Sequence, residues 1–324
     1  MVIAAILAGM AWSVLNQWSQ VRATWLNLAW ESIALSLLAA LAGMLANTLA
    51  WRAAAEDLEH RVPVPAALRI CLVGQLGKYI PGSVWAYVLQ MELAKRAGLP
   101  RARAFLATLV AVGLGVAAAL GLGLLSLPSL HAATNAADST YADAVRVALY
   151  IVAILFPIAL VCAFPQVLTR LVQLALRLLR RPPLKHKLTW PGVLRVIAWS
   201  ALGYALFGVH LWLLANAQAA PGVKGLLLSI GSFAIAMTVG MFAFLAPSGL
   251  GVREAVLVAA LAPFLSDAGG TGAAMGIALA SRLIFTIADV LAAGTAAVFG
   301  IRQLRRSPVP LTGHDAGDTG ELVH

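Results

Sequence analysis

The chain has 324 residues, of which 61% are hydrophobic and only 11% are charged, with a mean hydropathy of +0.88. This composition excludes an ordinary soluble domain and leaves room for about eight membrane segments of roughly 20 to 27 residues. The net charge of +10 does not indicate a nucleic-acid partner, because the basic residues form short clusters beside hydrophobic runs.

Hydrophobic runs predict membrane helices along most of the chain. The first run, Met1 to Trp18, has no basic start and no small-residue cleavage site, so it predicts a first span rather than a cleaved signal. Two segments, 66–97 and 226–266, are hydrophobic but interrupted by proline and glycine. The polar end, 307–324, predicts a disordered cytoplasmic tail. Uninterrupted spans are predicted at 1–18, 25–51, 104–127, 144–164, 193–217 and 272–300.

The uneven distribution of Lys and Arg among the loops predicts the orientation. The segments 92–103 and 165–192 are basic, as is the end of the last helix, and basic loops face the cytoplasm. The loops 128–143 and 218–224 hold at most one Lys or Arg and are predicted to lie outside. Both termini are therefore predicted to be cytoplasmic. Four residues at predicted membrane edges suggest an aromatic belt: Trp18, Trp25, Trp51 and Trp190.

This orientation dictates the shape of the two interrupted segments. Segment 66–97 begins and ends on the cytoplasmic side, which predicts a re-entrant hairpin turning at Pro81–Gly82. Segment 226–266 begins and ends outside, which predicts a second hairpin entering from the opposite face.

The order span, span, hairpin, span thus occurs in both halves, 1–127 and 144–300, and the motif prolines lie 166 positions apart. That order is typical of an inverted-topology repeat. The predicted fold is all-α: a polytopic helical membrane protein of about six full spans plus two re-entrant hairpins, in one transmembrane domain, 1–306.

The helix breaks favour a binding site between the hairpins. The bilayer core cannot hydrogen-bond freed backbone groups, so broken helices persist there only inside protein or beside a wet cavity. Ser83 is predicted to cap a helix from Val84 to Ala97, and Ser248 or Gly249 to start a helix that ends near Leu265. Both helices would direct free N–H groups toward the centre of the protein.

Those helix starts predict an anion site. Free N–H groups and partial positive charge favour a phosphate or carboxylate, and Lys78 and Arg253 add formal charge. A charge at the bilayer centre costs roughly 2.5 to 3.5 kcal/mol, so both cations need a counter-charge or ligand. Glu254 is the predicted partner of Lys78 rather than of Arg253, because adjacent helical residues point about 100° apart. The predicted substrate-binding residues are Lys78, Tyr79, Pro81, Gly82, Ser83, Pro247, Ser248, Gly249, Gly251, Arg253, Glu254 and Arg282.

Several polar residues keep alternative interpretations. Both motifs could instead be packing kinks, in which Pro and Gly allow close backbone approach. Arg282 and Asp289 share one face of the last helix and either line a cavity or pair elsewhere. Gln75 and Tyr79 either contact a ligand or bond another helix, and His210 is predicted to be a packing residue.

The motifs resemble those of a known family. Gly77-Lys78-Tyr79-Ile80-Pro81-Gly82-Ser83-Val84-Trp85, the later Gly98, and Pro247-Ser248-Gly249-Leu250-Gly251-Val252-Arg253-Glu254 resemble the lysylphosphatidylglycerol synthase transmembrane region, a flippase-like family. The resemblance implies movement of a modified phospholipid between the leaflets of the bacterial inner membrane. Bifunctional members carry a soluble aminoacyl-transferase domain after the membrane part. Such a domain is not among these 324 residues, so synthesis of the aminoacyl lipid is not expected.

The leading hypothesis is therefore a lipid flippase rather than an enzyme. It would carry an anionic or zwitterionic phospholipid, or a lipid-linked head group, with the phosphate at Lys78 and Arg253 and with Glu254 balancing charge or reading a cationic group. One alternative is a membrane-embedded enzyme acting on a lipid phosphate, and another is a non-catalytic partner of a separate synthase or transferase.

No cofactor or metal is expected. A Walker A sequence is missing, which argues against direct use of ATP, and neither HExxH nor an Asp-rich motif occurs. Cys71 and Cys162 lack CxxC spacing and predict neither a disulfide framework nor a zinc site.

Overall fold

The computed structural model describes residues 18–79, 84–126, 139–184, 187–219, 222–242 and 251–306. Within these ranges the chain forms helices and turns without any strand, which confirms the all-α prediction. The α-helices are α1 Trp18–Leu26, α2 Trp30–Asp57, α3 Val64–Leu68, α4 Trp85–Arg96, α5 Arg101–Gly123, α6 Ser139–Cys162, α7 Pro165–Leu178, α8 Trp190–Ala219, α9 Gly222–Phe242, α10 Val252–Leu261 and α11 Gly270–Arg306.

The described helices include enough spans for a polytopic membrane protein. Five of them, α2, α5, α8, α9 and α11, are long and apolar enough to cross a bilayer, and α6 with α7 adds a sixth if the bent pair is one span. This confirms the membrane fold, whereas the exact number of spans stays a prediction. The predicted first span, 1–18, lies outside the described residues except for Trp18, and so does the predicted tail, 307–324.

The first interrupted segment folds back on itself. After α3 come a π-helical turn, Arg69–Val73, and a 3₁₀ turn, Gln75–Tyr79, and α4 packs beside both. A Cβ atom on Gly77 would lie 2.6 Å from Cα of Ala86, so only glycine allows the arms to come this close. Both arms are too short to cross a bilayer alone, as a re-entrant hairpin requires. Its predicted turn at Pro81–Gly82 lies outside the described residues.

The first arm of the second interrupted segment is longer than the first arm of segment 66–97. The 21 residues of α9 could span a bilayer, whereas α10 has 10 residues and continues as a 3₁₀ stretch, Ala262–Ala268. α10 begins at Val252, after Gly251 in the N-cap position with φ of +87°. The predicted start at Ser248 or Gly249 is therefore wrong, because the left-handed backbone at Gly251 cannot continue a helix.

The basic segment 165–192, predicted as a loop, contains α7. A bend of 84° separates α7 from the end of α6. One face of α7 packs against the protein, and the remaining surface carries separate apolar and basic stripes, as in helices that lie along a membrane surface. The exposed stripes consist of Leu171, Leu174 and Leu178 on one side and Arg170 and Arg177 on the other.

The second spans of the two halves, α2 and α8, pack together in antiparallel directions. Asp57 at the end of α2 accepts hydrogen bonds from the hydroxyl of Thr189 at 2.8 Å and from its backbone N–H at 3.2 Å, just before α8. Near the other end, Ser36 contacts His210. The first hairpin packs on α11, while α9 packs on α5. Exchanged contacts of this kind are expected of an inverted repeat, which stays a prediction.

The basic segments lie at one end of the bundle. Segments 92–103 and 165–192 supply residues to the same buried apolar cluster as the end of α2, with members that include Leu58, Leu99, Leu168 and Leu188. A second cluster, which contains Leu214, Leu228 and Leu265, fills the other end. The two segments predicted to be cytoplasmic are thus on the same side of the protein.

Trp51 does not belong to an aromatic belt. Its side chain is only 3% exposed, and its Nε1–H donates to Oγ1 of Thr108 at 2.9 Å. The prediction placed the end of α2 too early, because the helix continues through polar residues to Asp57. Trp18, Trp25 and Trp190 are exposed, as interfacial tryptophans should be.

Candidate functional site

A cavity of about 520 Å³ lies among helices of both halves. Its walls come from α2, the 3₁₀ turn Gln75–Tyr79, α4, α5, α8, α9, α10 and α11. The volume is within the range of about 300 to 1,000 Å³ that is typical of small-ligand sites. Its charged lining residues, within the described ranges, are Lys78, Arg253, Arg282 and Asp289.

The first motif is held by Asp289 of α11. The Nζ atom of Lys78 lies 2.6 Å from Oδ2 of Asp289, and the hydroxyl of Tyr79 donates to the same oxygen at 2.7 Å. The carboxylate is nearly buried, while the Lys78 side chain keeps 26% of its surface exposed. Asp289 thus neutralises Lys78 and fixes the end of the first hairpin arm.

The second motif is held by Arg282 of the same helix. Nη1 of Arg282 donates to Oε1 of Glu254 at 2.5 Å, and the backbone N–H of Gly251 donates to Oε2 at 2.8 Å. Glu254 therefore caps α10 and neutralises Arg282 at the same time. The predicted pair between Glu254 and Lys78 is wrong, because α11 supplies a nearer partner to each of them.

Arg253 differs from the other two cations because it has no carboxylate partner within ion-pair distance among the described residues. Its Cζ atom lies 4.8 Å from the ring centres of both Phe233 and Phe285, so the guanidinium packs against both aromatic rings, which are themselves 5.4 Å apart. Nη2 donates to Oγ of Ser281 at 3.1 Å, while the buried Nε has no described hydrogen-bond partner. The whole residue is only 8% exposed.

The ion pairs leave one positive charge in the site. Lys78, Arg253 and Arg282 supply three cations, and Asp289 and Glu254 supply two carboxylates, each held by one of the other two cations. The uncompensated charge belongs to Arg253, on the cavity wall. In a low-dielectric interior such a charge strongly favours an anionic ligand.

A family model matches residues 1–293, described as the lysylphosphatidylglycerol synthase TM region. The chain belongs to this family. The match includes both motifs and the anchoring residues Arg282 and Asp289. No curated protein matches the chain in a sequence search.

Membership in the lysylphosphatidylglycerol synthase TM family makes this a membrane protein of lipid metabolism or lipid translocation. The apolar spans found in the structure agree with that assignment. The cavity between the motifs is accordingly a candidate lipid site.

Sequence reasoning missed the residues that support Arg253. His210, predicted to be a packing residue, is fully buried but hydrogen-bonded at both ring nitrogens: Nδ1 lies 2.6 Å from Oγ of Ser36, and Nε2 lies 2.9 Å from Oγ of Ser281. Ser281 in turn accepts from Arg253. If Ser281 accepts from Arg253 and donates to His210, the imidazole is neutral with its proton on Nδ1. Ser281 lies 71 positions from His210 and 28 from Arg253, so no local sequence pattern indicates these hydrogen bonds.

The other predicted site residues fall into two groups. Gln75 and Tyr79 line the cavity, and Gly251 contributes its N–H to Glu254 as described. Six residues lie outside the described ranges, and their role in binding stays a prediction: Pro81, Gly82, Ser83, Pro247, Ser248 and Gly249.

An ion-pair cluster around Glu92 lies outside the cavity. Glu92 pairs with Arg96 and Arg101 at the basic end, where the hydrogen bond from Arg101 lowers the pKa of the Glu92 carboxyl. In the part of the chain that the structure describes, no group of three or more His, Cys, Asp or Glu residues could hold a metal ion.

Proposed function

We propose that this protein is a lipid translocator that moves an anionic or zwitterionic phospholipid, or another lipid-linked head group, between the leaflets of a bacterial inner membrane. The lipid would leave the site chemically unchanged. The single observation that carries the proposal is Arg253, a buried cation without a carboxylate partner among the described residues, on the wall of a cavity between two broken membrane segments.

The phosphate of the lipid would bind at Arg253. The guanidinium is kept in place by Phe233, Phe285 and Ser281, so little side-chain freedom is lost when an anion binds. The guanidinium has more N–H groups than its single bond to Ser281 uses, and charged donors of this kind bind phosphate oxygens strongly. The acyl chains would remain in the bilayer while the head group occupies the cavity.

Lys78 and Arg282 would contribute less than Arg253 to binding of the phosphate. Each already has a carboxylate partner, and a phosphate near either cation would have to compete with that carboxylate. Competition of this kind would loosen the contacts that fix the two motifs to α11. Binding would thus be linked to movement of the segments that enclose the head group.

The basic end of the bundle supports an orientation in the membrane. Segments 92–103 and 165–192 share that end, and basic segments are retained on the cytoplasmic side. We infer that both termini are cytoplasmic. The apolar and basic stripes of α7 would lie along the cytoplasmic leaflet.

Reconstitution of the full chain in vesicles tests the proposal. Lipids with a fluorescent acyl chain are followed by their accessibility to a quencher outside the vesicle. Arg253→Gln should reduce transfer of an anionic phospholipid at least about tenfold, because it removes the one cavity-lining cation, within the described residues, that has no carboxylate partner. Lys95→Gln is the control, since Lys95 is an exposed cation outside the cavity.

Three outcomes would contradict the proposal. If Arg253→Gln and wild type transfer every lipid equally, the site is wrong. If the lipid changes in mass without changing leaflet, the protein is an enzyme on a lipid phosphate, and if the protein is inert until a synthase is added, it is a partner of that synthase.

A further inference from the structure

The cavity wall also carries uncharged hydrogen-bonding side chains among its apolar residues. Hydrogen-bonding side chains come from α2, α4, α5 and α8, and also from the 3₁₀ turn and α11, which carry Lys78 and Arg282. The neutral side chains of the four helices include Asn47, Tyr87, Gln90, Thr108, Ser200 and Tyr204.

Part of this neutral surface is already engaged. Thr108 accepts from Trp51, and its hydroxyl proton has two acceptors at 3.0 Å, Oε1 of Gln90 and the carbonyl oxygen of Ala104. These contacts fix the side chains at the wall. The amide nitrogen of Gln90 has one contact among the described residues, 3.5 Å to Sγ of Cys71. That amide therefore keeps donor capacity toward the cavity.

Three other neutral side chains have hydrogen-bonding groups that are not used by the described protein residues. Asn47, Ser200 and Tyr204 line the cavity without a hydrogen-bond partner among the described residues. Ser200 is only 2% exposed, so its hydroxyl has little access to solvent except through the cavity. Buried polar groups are nearly always hydrogen-bonded in folded proteins. A ligand rich in hydroxyl groups, or the water it replaces, would satisfy these three.

A cationic head group finds no equivalent partner. Asp289 is the acidic lining residue in the described ranges, and Lys78 and Tyr79 already share its Oδ2 atom. Glu254 is bonded to Arg282 and to the N–H of Gly251. An ammonium group would have to displace Lys78 and would be repelled by Arg253. The hypothesis that Glu254 reads a cationic head group is therefore not supported.

We propose that the head group is the phosphate ester of an uncharged polyol, such as glycerol, inositol or a sugar, and that it carries no amine. This inference rests on the proposed function of the same cavity. Arg253 would hold the phosphate, while Asn47, Ser200 and Tyr204 would bind the hydroxyl groups. The cavity of about 520 Å³ accommodates a phosphate with a polyol of this size.

The first test compares phosphatidylglycerol with its lysyl ester, which adds two amines and bulk and has one hydroxyl group fewer on the glycerol. Phosphatidylglycerol and lysylphosphatidylglycerol share the phosphate and the glycerol, and only the latter carries the amines. With wild type in vesicles, phosphatidylglycerol should move at least about tenfold faster, because like charges in a desolvated site repel each other strongly. Equal rates, or a faster rate for the lysyl ester, would overturn the proposal.

The second test removes single hydroxyl groups. Phosphatidic acid has the phosphate without the polyol, so the ratio of phosphatidylglycerol to phosphatidic acid transfer reports polyol recognition. Ser200→Ala and Tyr204→Phe should each lower this ratio about two- to tenfold, the usual effect of one neutral hydrogen bond. Tyr150→Phe, which changes an exposed tyrosine, is the matched control. An unchanged ratio in both cavity variants would overturn the proposal.

A binding measurement separates this inference from translocation itself. Should wild type move no lipid at all, the proposed function fails, and head-group choice is then read by native mass spectrometry of the protein in detergent. Preferential retention of phosphatidylglycerol over its lysyl ester supports the polyol assignment. Equal retention overturns it.

Discussion

Lys78 Nζ lies 2.6 Å from Asp289 Oδ2, and this contact joins a broken segment of the first half to the last helix of the second half. The two residues are separated by 211 positions in sequence. The contact gives Lys78, which lies within a predicted membrane segment, a counter-charge. It also leaves Arg253 as the charge available to a ligand.

Asp289→Asn should destabilise the protein, because it leaves Lys78 without a counter-charge. Loss of one partner from a fully buried pair costs roughly 3 to 5 kcal/mol. Here the Lys78 side chain is 26% exposed, so we expect about 1 to 3 kcal/mol, measured by thermal unfolding in detergent. The double variant Lys78→Gln with Asp289→Asn should recover part of that loss. Strict additivity of the two single changes would show that the pair is not coupled.

Glu254 has two functions that substitutions can separate. Glu254→Gln retains an oxygen that can accept from the Gly251 N–H but loses the charge that binds Arg282, whereas Glu254→Ala loses both. Glu254→Ala should therefore be less stable than Glu254→Gln by about 0.5 to 2 kcal/mol, the usual contribution of a helix cap. Hydrogen exchange at the start of α10 should rise in the alanine variant. Identical behaviour of the two variants would rule out the capping role.

Ser281→Ala should weaken lipid transfer without unfolding the protein. The change removes the acceptor for Arg253 and the link to His210, and one such hydrogen bond corresponds to about a two- to tenfold effect on transfer of an anionic lipid. Ser229→Ala is the matched control: its buried hydroxyl has no partner in the described structure, so its removal should be neutral or stabilising. Transfer that falls equally in both variants would contradict the positioning role of Ser281.

Gly77→Ala should disrupt the first hairpin. The added Cβ would lie 2.6 Å from both Cα and N of Ala86, and backbone atoms cannot move aside as a flexible side chain can. Gly113→Ala is the opposite case, because a Cβ there meets nothing within 4 Å and α5 should gain about 0.5 to 1 kcal/mol. Thermal unfolding of both variants checks the pair. A Gly77→Ala protein as stable as Gly113→Ala would show that the arms are not closely packed.

The sequence was sufficient for the helical membrane fold because long apolar runs admit few other structures. Most predicted span boundaries lie within a few residues of the observed ones, but α7 was missed since its amphipathic pattern was interpreted only as a basic loop. The start of α10 was missed for a local reason: a glycine with positive φ and a serine are both good caps, and sequence does not decide between them.

The candidate site could be predicted only in part. The residue types and the motifs indicated cations at a helix break, but pairing depends on which helix lies between the motifs. α11 supplies Asp289 to Lys78 and Arg282 to Glu254, and nothing local to either motif reveals this. The contacts of Arg253 with Phe233 and Phe285 likewise depend on the tertiary packing of α9 and α11.

Because Arg282 and Asp289 are two turns apart on one face of α11, a rigid tilt or rotation of that helix changes both ion pairs together. The two broken segments are thus both joined to the same helix. If the proposed translocation occurs by alternating access, opening toward one leaflet would therefore alter the contacts of both segments at once.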